Sequence, residues 1–364
     1  MSARHPHTRG ATLIELMISL SVGLVLTSSV VGIMYGQSMG FIQRQDEVDA
    51  HQNARVALNV MGRYIRQARW GLASDVAVQG PAPLGMCYST VGTVLPQGQC
   101  NDVDTVNGIK VDRLRAISIL NDSEYVNGTG YGSAADCNST SPVDTSVVHV
   151  NQNPAMPFAS GALAAISGAC FSPVGGVTSA FDLVSITSDA GFGDSCLHRY
   201  RFSRLDGSGS ALSCVNGYDS AFSFGRAVVA DLYIASDAAA NPRLMLRLDP
   251  RTPLGGSGTY VVAFGVENLQ VSYGIDASQP PDRVPDNSPW CDDPRSLADG
   301  GTCNLLDPQA GSPYTTAQLY NRIVAVKLQV GVRTDAKRPV VVGSSDGRKH
   351  WTYSKVISLR NNHL

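Results

Sequence analysis

The chain has 364 residues, 43% of them hydrophobic and only 16% charged, against about 25% charged in a typical globular protein. Its 36 Gly and 19 Pro fall well short of collagen or a low-complexity chain, so a sizeable core can form. A formal net charge of −2 leaves no basic field at whole-chain level, which argues against a dedicated nucleic-acid site.

The first ten residues, MSARHPHTRG, carry Arg4 and Arg9 and no acid. From Ala11 to Gln43 the single charge is Glu15, and the 28 residues after Glu15 up to Gln43 are uncharged. A bilayer span needs about 20 apolar residues, so this segment is long enough to cross. The basic head predicts a cytoplasmic N-terminus and an exported remainder. No small-residue cleavage site follows the apolar run, so the segment is expected to be retained rather than discarded. Glu15 is the anomaly. A carboxylate costs about 2.5–3.5 kcal/mol at the centre of a span, and ionisable groups so placed are functional by default.

The pattern predicts one helix of about 60 residues, from Ala11 to about Leu72. Beyond the apolar run, Val48, Ala54, Ala57, Leu58, Met61, Tyr64, Ile65, Ala68 and Leu72 recur at three- and four-residue steps, which makes residues 44–73 amphipathic. Within the run, Ser28, Gly32, Gly36 and Gly40 stand four apart. That spacing suits close helix packing and equally suits a locally loosened helix; both readings stay open.

From about Ser74 short apolar runs alternate with Gly, Asn, Pro and Ser. Strands are expected over Arg113–Leu120, Phe181–Thr187, Leu197–Phe202, Val228–Ile234 and Arg243–Leu248. Val266, Leu269, Val271, Tyr273 and Ile275 mostly alternate. Val324, Val326, Leu328, Val330 and Val332 alternate strictly, and Trp351, Tyr353, Ile357 and Leu359 share a face. No helices of 10–15 residues interleave these strands, so the expectation is an antiparallel sheet behind the N-terminal helix. Residues Ala277 to Thr316 read as a long loop attached to it.

Eight cysteines, Cys87, Cys100, Cys137, Cys170, Cys196, Cys214, Cys291 and Cys303, contain no CxxC pair of the kind that zinc ribbons use. An even number in loop-rich sequence points to disulfides in an oxidising compartment, with buried free thiols as the alternative. Eight cysteines allow 105 pairings. Loop closure is cheapest for Cys87–Cys100, Cys137–Cys170, Cys196–Cys214 and Cys291–Cys303, at about 3 kcal/mol each in the chain-entropy model.

Gly10-Ala11-Thr12-Leu13-Ile14-Glu15-Leu16-Met17 resembles the class III signal of type IV pilins and pseudopilins, with Ala11 where phenylalanine is usual. The resemblance implies that a prepilin peptidase cuts after Gly10 and methylates the new N-terminus at Ala11. It also implies that Glu15 meets the Ala11 amine of a neighbouring subunit during assembly; an intrachain pair at i,i+4 spacing is the alternative. Three later segments narrow the family. Val266-Glu267-Asn268-Leu269-Gln270 through Asp276 is similar to a segment of PilW-type minor pilins. Asn321 to Lys327 resembles their following strand, and Tyr353 to Asn361 their closing strand. The amphipathic stretch, with Gln52 to Leu58 and Arg63 to Ala68, matches as well. Residues Ser74 to Leu254 carry no such likeness.

The resemblance implies an α+β, type IV pilin-like fold: a long N-terminal α-helix packed on an antiparallel β-sheet with disulfide-stapled loops. The expected organisation is a leader at 1–10, a membrane and filament-core segment at 11–43, an amphipathic helix half at 44–73 and a periplasmic sheet domain at 74–364. The function implied is that of a minor pilin initiating pilus assembly near the tip. Its partners would be the prepilin peptidase, other minor pilins, the major pilin and a PilY-type tip adhesin. The chain would sit in the inner membrane before assembly and at the cell surface after it. A type II secretion pseudopilin is the alternative, and a membrane-anchored periplasmic enzyme a more distant one. Catalysis finds little support. Gly193-Asp194-Ser195 is followed by Cys196 rather than glycine, and no G-x-S-x-G elbow has suitable partners. Asn101 to Gly108 starts like a calcium loop but puts Val106 at a ligand position. Asp292, Asp293 and Asp299 are expected as solvated turn residues. No cofactor or metal is expected.

Overall fold

The computed structural model describes residues 12–68, 104–106, 108–119, 126–130, 147–150, 160–169, 179–189, 198–204, 222–237, 240–248, 258–278, 282, 284–286, 290–291, 322–334 and 347–359. The chain divides into two compact units, Met1–Asp49 and Ala50–Leu364.

The first unit holds the apolar part of a single helix, α1, which runs Leu13–Gln67. The helix begins two residues later than the sequence suggests and ends five earlier; Leu72 lies outside the described residues. Leu16, Met17, Ile18 and Leu26 are all exposed and stand at about 0°, 100°, 200° and 280° round the axis, so the apolar surface runs round the whole helix rather than along one stripe. Such a helix is long and apolar enough to cross a membrane. Its hydroxyls are satisfied within the helix. Ser19 Oγ donates to the Glu15 carbonyl at 2.7 Å, Ser28 Oγ to Val25 at 2.9 Å, and Ser29 Oγ to Val25 at 2.8 Å. Polar groups placed in hydrocarbon need this kind of internal partner.

The second unit begins with the rest of α1. Ala50, Ala54, Ala57, Leu58, Met61, Ile65 and Ala68 are buried, at the three- and four-residue steps of one helix face. Val48 was expected on this stripe but is 51% exposed. It stands two residues before Ala50, roughly 200° away round the helix, so it cannot share that face. Ala50 takes the place.

Fourteen strands follow among the described residues: β1 Asp104–Val106, β2 Ile109–Val111, β3 Leu114–Ile119, β4 Val126–Gly130, β5 Val147–Val150, β6 Leu163–Ala169, β7 Ser179–Asp189, β8 His198–Arg204, β9 Phe222–Ser236, β10 Pro242–Arg247, β11 Thr259–Phe264, β12 Val266–Ile275, β13 Ile323–Arg333 and β14 His350–Ser358. Every pairing given for them is antiparallel. The expectation of one sheet becomes three: a hairpin β1–β2, a three-stranded sheet β12–β13–β14, and a nine-stranded sheet built around β9.

The three-stranded sheet carries the alternation read in the sequence. Val326, Leu328, Val330 and Val332 of β13 are buried together with Leu269, Val271 and Tyr273 of β12. Ile357 is buried in the same core, and Trp351, Tyr353 and Leu359 pack partly against it. The buried face of α1 belongs to this core, as do Leu114, Ala116, Ala230, Leu232, Ile234, Leu244 and Leu246. The free edge of β12 is covered. Asp112 N–H donates to Leu269 O at 2.9 Å, and Cys291 N–H to Tyr273 O at 3.1 Å. Gly274 lets this covering segment close in, since a Cβ there would stand 2.9 Å from Pro285 Cγ.

The nine-stranded sheet lies mostly in the stretch without family likeness. Strand β9, 15 residues long, pairs through its first half with β4 and β6, and through its second half with β3 and β10. Because β4, β5, β8, β7 and β6 also pair in succession, the path from β9 round to β9 closes on itself. Closure removes free strand edges. The described part of the stretch that starts like a calcium loop forms a hairpin: β1 and β2 pair across a turn where Gly108 has φ +81°, and Asn-Gly is the sequence signature of a two-residue hairpin loop.

Candidate functional site

The start of α1 is the position the sequence singles out. Thr12 lies just outside the helix, and its N–H donates to Glu15 Oε2 at 3.0 Å. The Thr12 hydroxyl donates to the same oxygen at 3.2 Å, while Glu15 N–H donates to Thr12 Oγ1 at 3.4 Å. This reciprocal arrangement is a capping box, T-x-x-E, which satisfies donors that the first turn cannot. Negative charge here also complements the positive end of the helix dipole. Glu15 therefore has a partner inside its own chain, and that partner is Thr12. Gly10 and Ala11 lie outside the described residues, so the i,i+4 pair is not settled by these contacts.

In the second unit the seam between α1 and β14 is built pair by pair. The rings of His51 and Trp351 stand 5.7 Å apart, and those of His51 and Tyr353 5.3 Å. The Tyr353 hydroxyl hydrogen-bonds His51 Nδ1. Lys355 Nζ donates to Asn59 Oδ1 at 3.0 Å, and a Cβ on Gly62 would stand 3.2 Å from Ile357 Cδ1. The residue numbers rise together, so helix and strand run in the same direction. Burial pushes the Tyr353 phenol above its ordinary pKa, with the Arg55 charge acting against that shift.

Two charged clusters escaped the sequence reading. Arg115, Asp231 and Arg247 occupy neighbouring positions on β3, β9 and β10 and are 1%, 6% and 2% exposed. Arg115 Nη2 donates to Asp231 Oδ2 at 2.5 Å, and Arg247 Nε to the same oxygen at 2.9 Å. Burial alone would raise the Asp231 carboxyl; the two guanidiniums outweigh it and hold the group below its ordinary value. The second cluster is Glu267, buried where β12 shifts register against β13. Glu267 Oε1 stands 2.5 Å from His350 Nδ1, and Oε2 lies 3.9 Å from Arg333 Nε. Both clusters lie across strands distant in sequence, which no spacing rule detects.

Cys291 is buried. Cys87, Cys100, Cys137, Cys170, Cys196, Cys214 and Cys303 lie outside the described residues, as do Ser195, Asp292, Asp293 and Asp299. Among the described residues no group of His, Cys, Asp and Glu has the makings of a metal site. No family model, no curated protein and no solved structure matches the chain.

Proposed function

We propose that the chain is a PilW-type minor pilin that takes part in initiating type IV pilus assembly and sits at or near the pilus tip. One observation carries the reading. The separate segments that resemble this family, at residues 266–276, 321–327 and 353–361, contribute to three strands that form one sheet. The amphipathic stretch that also resembles it packs into the core of that sheet. Segments scattered over the chain thus meet as a unit, while the unlike middle supplies most of the other sheet. The disulfide staples belong to the same reading, with Cys291 paired to Cys303 as its nearest neighbour in sequence.

In this role the prepilin peptidase removes residues 1–10 and leaves an α-amine at Ala11. Glu15 begins with the neutral donors of Thr12. A neighbouring subunit's Ala11 amine offers a charge-assisted bond, roughly twice as strong as a neutral one. The exchange of partners draws the incoming helix into register. Gly10→Ala should leave a full-length, membrane-embedded precursor, and Glu15→Ala a processed, membrane-resident chain that supports few surface fibres. Immunoblotting of the processed form and fibre counting by electron microscopy are the tests. A normally trimmed Gly10→Ala product, or wild-type piliation with Glu15→Ala, would overturn the assignment.

A further inference from the structure

Charge is divided between the two sides of the three-stranded sheet, whose order is β12–β13–β14. On the β14 side, residues 50–68 of α1 hold Arg55, Arg63 and Arg66 and no acid, and β14 adds Lys355, again without an acid. Arg55 and Arg63 are exposed and Arg66 is half-buried. Asn59 stands four residues from both Arg55 and Arg63, so the three share one side of the helix. Asn59 Oδ1 accepts from Lys355 Nζ at 3.0 Å, which brings the fourth cation to that side. From Arg55 to Arg66 the ridge covers about 16 Å of helix. Among the described residues none of the four cations meets a carboxylate. Arg63 and Arg66, three apart, repel each other instead.

The β12 side carries the opposite sign. Residues Asp282 to Asp307 hold six aspartates against Arg283 and Arg295, a net −4. This segment is tied to the outer edge of β12. Asp286 N–H donates to Ile275 O at 2.9 Å, and Tyr273 and Cys291 exchange two backbone bonds, at 2.6 and 3.1 Å. Asp282 and Asp286 are exposed; the other four aspartates lie outside the described residues. The bonds that Asp282 and Asp286 accept come from neutral backbone, Val284 N–H at 2.9 Å and Ala277 N–H at 2.7 Å. The sheet lies between the acidic segment and the basic ridge. Their charges cancel in the sum, so the whole-chain charge of −2 does not reveal them.

We propose that the ridge receives a second copy of this chain: the acidic segment at the β12 edge of one copy docks on Arg55, Arg63, Arg66 and Lys355 of the next. Charge complementarity selects the occupant, because the chain itself supplies a segment of opposite sign and equal charge on the side away from the ridge. The contact is heterologous. Each copy uses one side and leaves the other open, so it does not close on two copies as a two-fold dimer does. Exposed ion pairs are weak and screened by salt, which makes the association salt-sensitive. This inference goes beyond the pilin reading and does not depend on it.

The full chain is held in a neutral detergent without lipid, and a fluorescently labelled copy is titrated with unlabelled chain and followed by sedimentation velocity. Between about 20 mM and about 300 mM salt, where the Debye length drops from about 20 Å to about 6 Å, the affinity should fall about tenfold or more. Arg55→Glu/Arg63→Glu should abolish self-association at low salt. Asp282→Asn/Asp286→Asn keeps an acceptor oxygen at each position and should weaken it about 2- to 30-fold, the range that two exposed pairs span. The labelled arginine variant titrated with an excess of the asparagine variant should bind as wild type does. The first retains its acidic segment and the second its ridge, so this rescue also shows that both variants are folded. A wild type that stays monomeric at low salt, as it would if the ridge served an unrelated acidic protein or anionic lipid, overturns the proposal. So does association that ignores salt, or a mixed titration no tighter than the asparagine variant alone.

Discussion

Replacing Asp231 is the sharpest test of the second unit's core. The carboxylate serves two guanidiniums at once, and all three residues are less than a tenth exposed. Removing one member of a buried ion pair costs about 3–5 kcal/mol, because the remaining charge keeps its desolvation penalty without its partner. Asp231→Asn retains a carbonyl acceptor and should fall near the lower figure, about 3 kcal/mol; Asp231→Ala should approach about 5. Against a total stability of about 5–15 kcal/mol, either is a large fraction. The pH dependence gives an independent reading. The folded carboxyl titrates below its ordinary value, so its contribution is complete above the unfolded pKa, about 3.9. It is lost as pH falls through the lower folded value. Urea unfolding of wild type and Asp231→Asn should differ by a constant amount near neutral pH and converge under strong acid. Replacing all three members with apolar residues of similar volume should cost far less than Asp231→Ala, since no charge is then stranded. A single-variant loss below about 1 kcal/mol, or a difference that persists unchanged into acid, would refute the account.

Met61 is fully buried beneath the sheet; Met61→Ala should destabilise by about 2–5 kcal/mol and Met61→Asp by more, while Val48→Ala should leave thermal unfolding unchanged. Gly62→Ala sets two effects against each other: about 0.8–1 kcal/mol gained in helix propensity, and the displacement of Ile357 Cδ1, which lies 3.2 Å from the added carbon. Because that atom is the far end of a flexible side chain, the net change should stay within about 0.5 kcal/mol of zero, whereas Gly62→Val should be clearly destabilising in the same urea titration.

Periodicity carried the fold as far as it was local. The helix, its buried stripe and the three strands of the final sheet all follow from spacing, because each buries one face against the same core. Val48 has the apolar character of the stripe but not its angle, and it is exposed. Strand β6, Leu163–Ala169, reads LAAISGA, too rich in small residues to show a two-residue period, and it is held by β7 and β9 rather than by propensity. The β1–β2 hairpin is legible in its Asn-Gly pair, which the acidic and amide residues around it obscure by their likeness to a metal loop. Closure of the β9 circuit depends on one long strand pairing on both edges, and no local signal encodes that.

Glu15 shows how a site residue can be legible in position and still be incomplete in chemistry. Its place in an apolar run marks it as costly, and the T-x-x-E spacing that lowers the cost stands in the same eight residues. Among the described residues the carboxylate accepts from a backbone N–H and a hydroxyl, both neutral. A permanent salt bridge within the chain would compete with any incoming amine on equal terms. A neutral cap does not, since it stabilises the isolated helix end by only about 0.5–2 kcal/mol. It can then yield to a charged donor in a low-dielectric setting, where ionic hydrogen bonds gain most. The Thr12 cap thus gives a carboxylate in an apolar run neutral partners that do not oppose its charge, which is the condition the assembly contact proposed for this position requires.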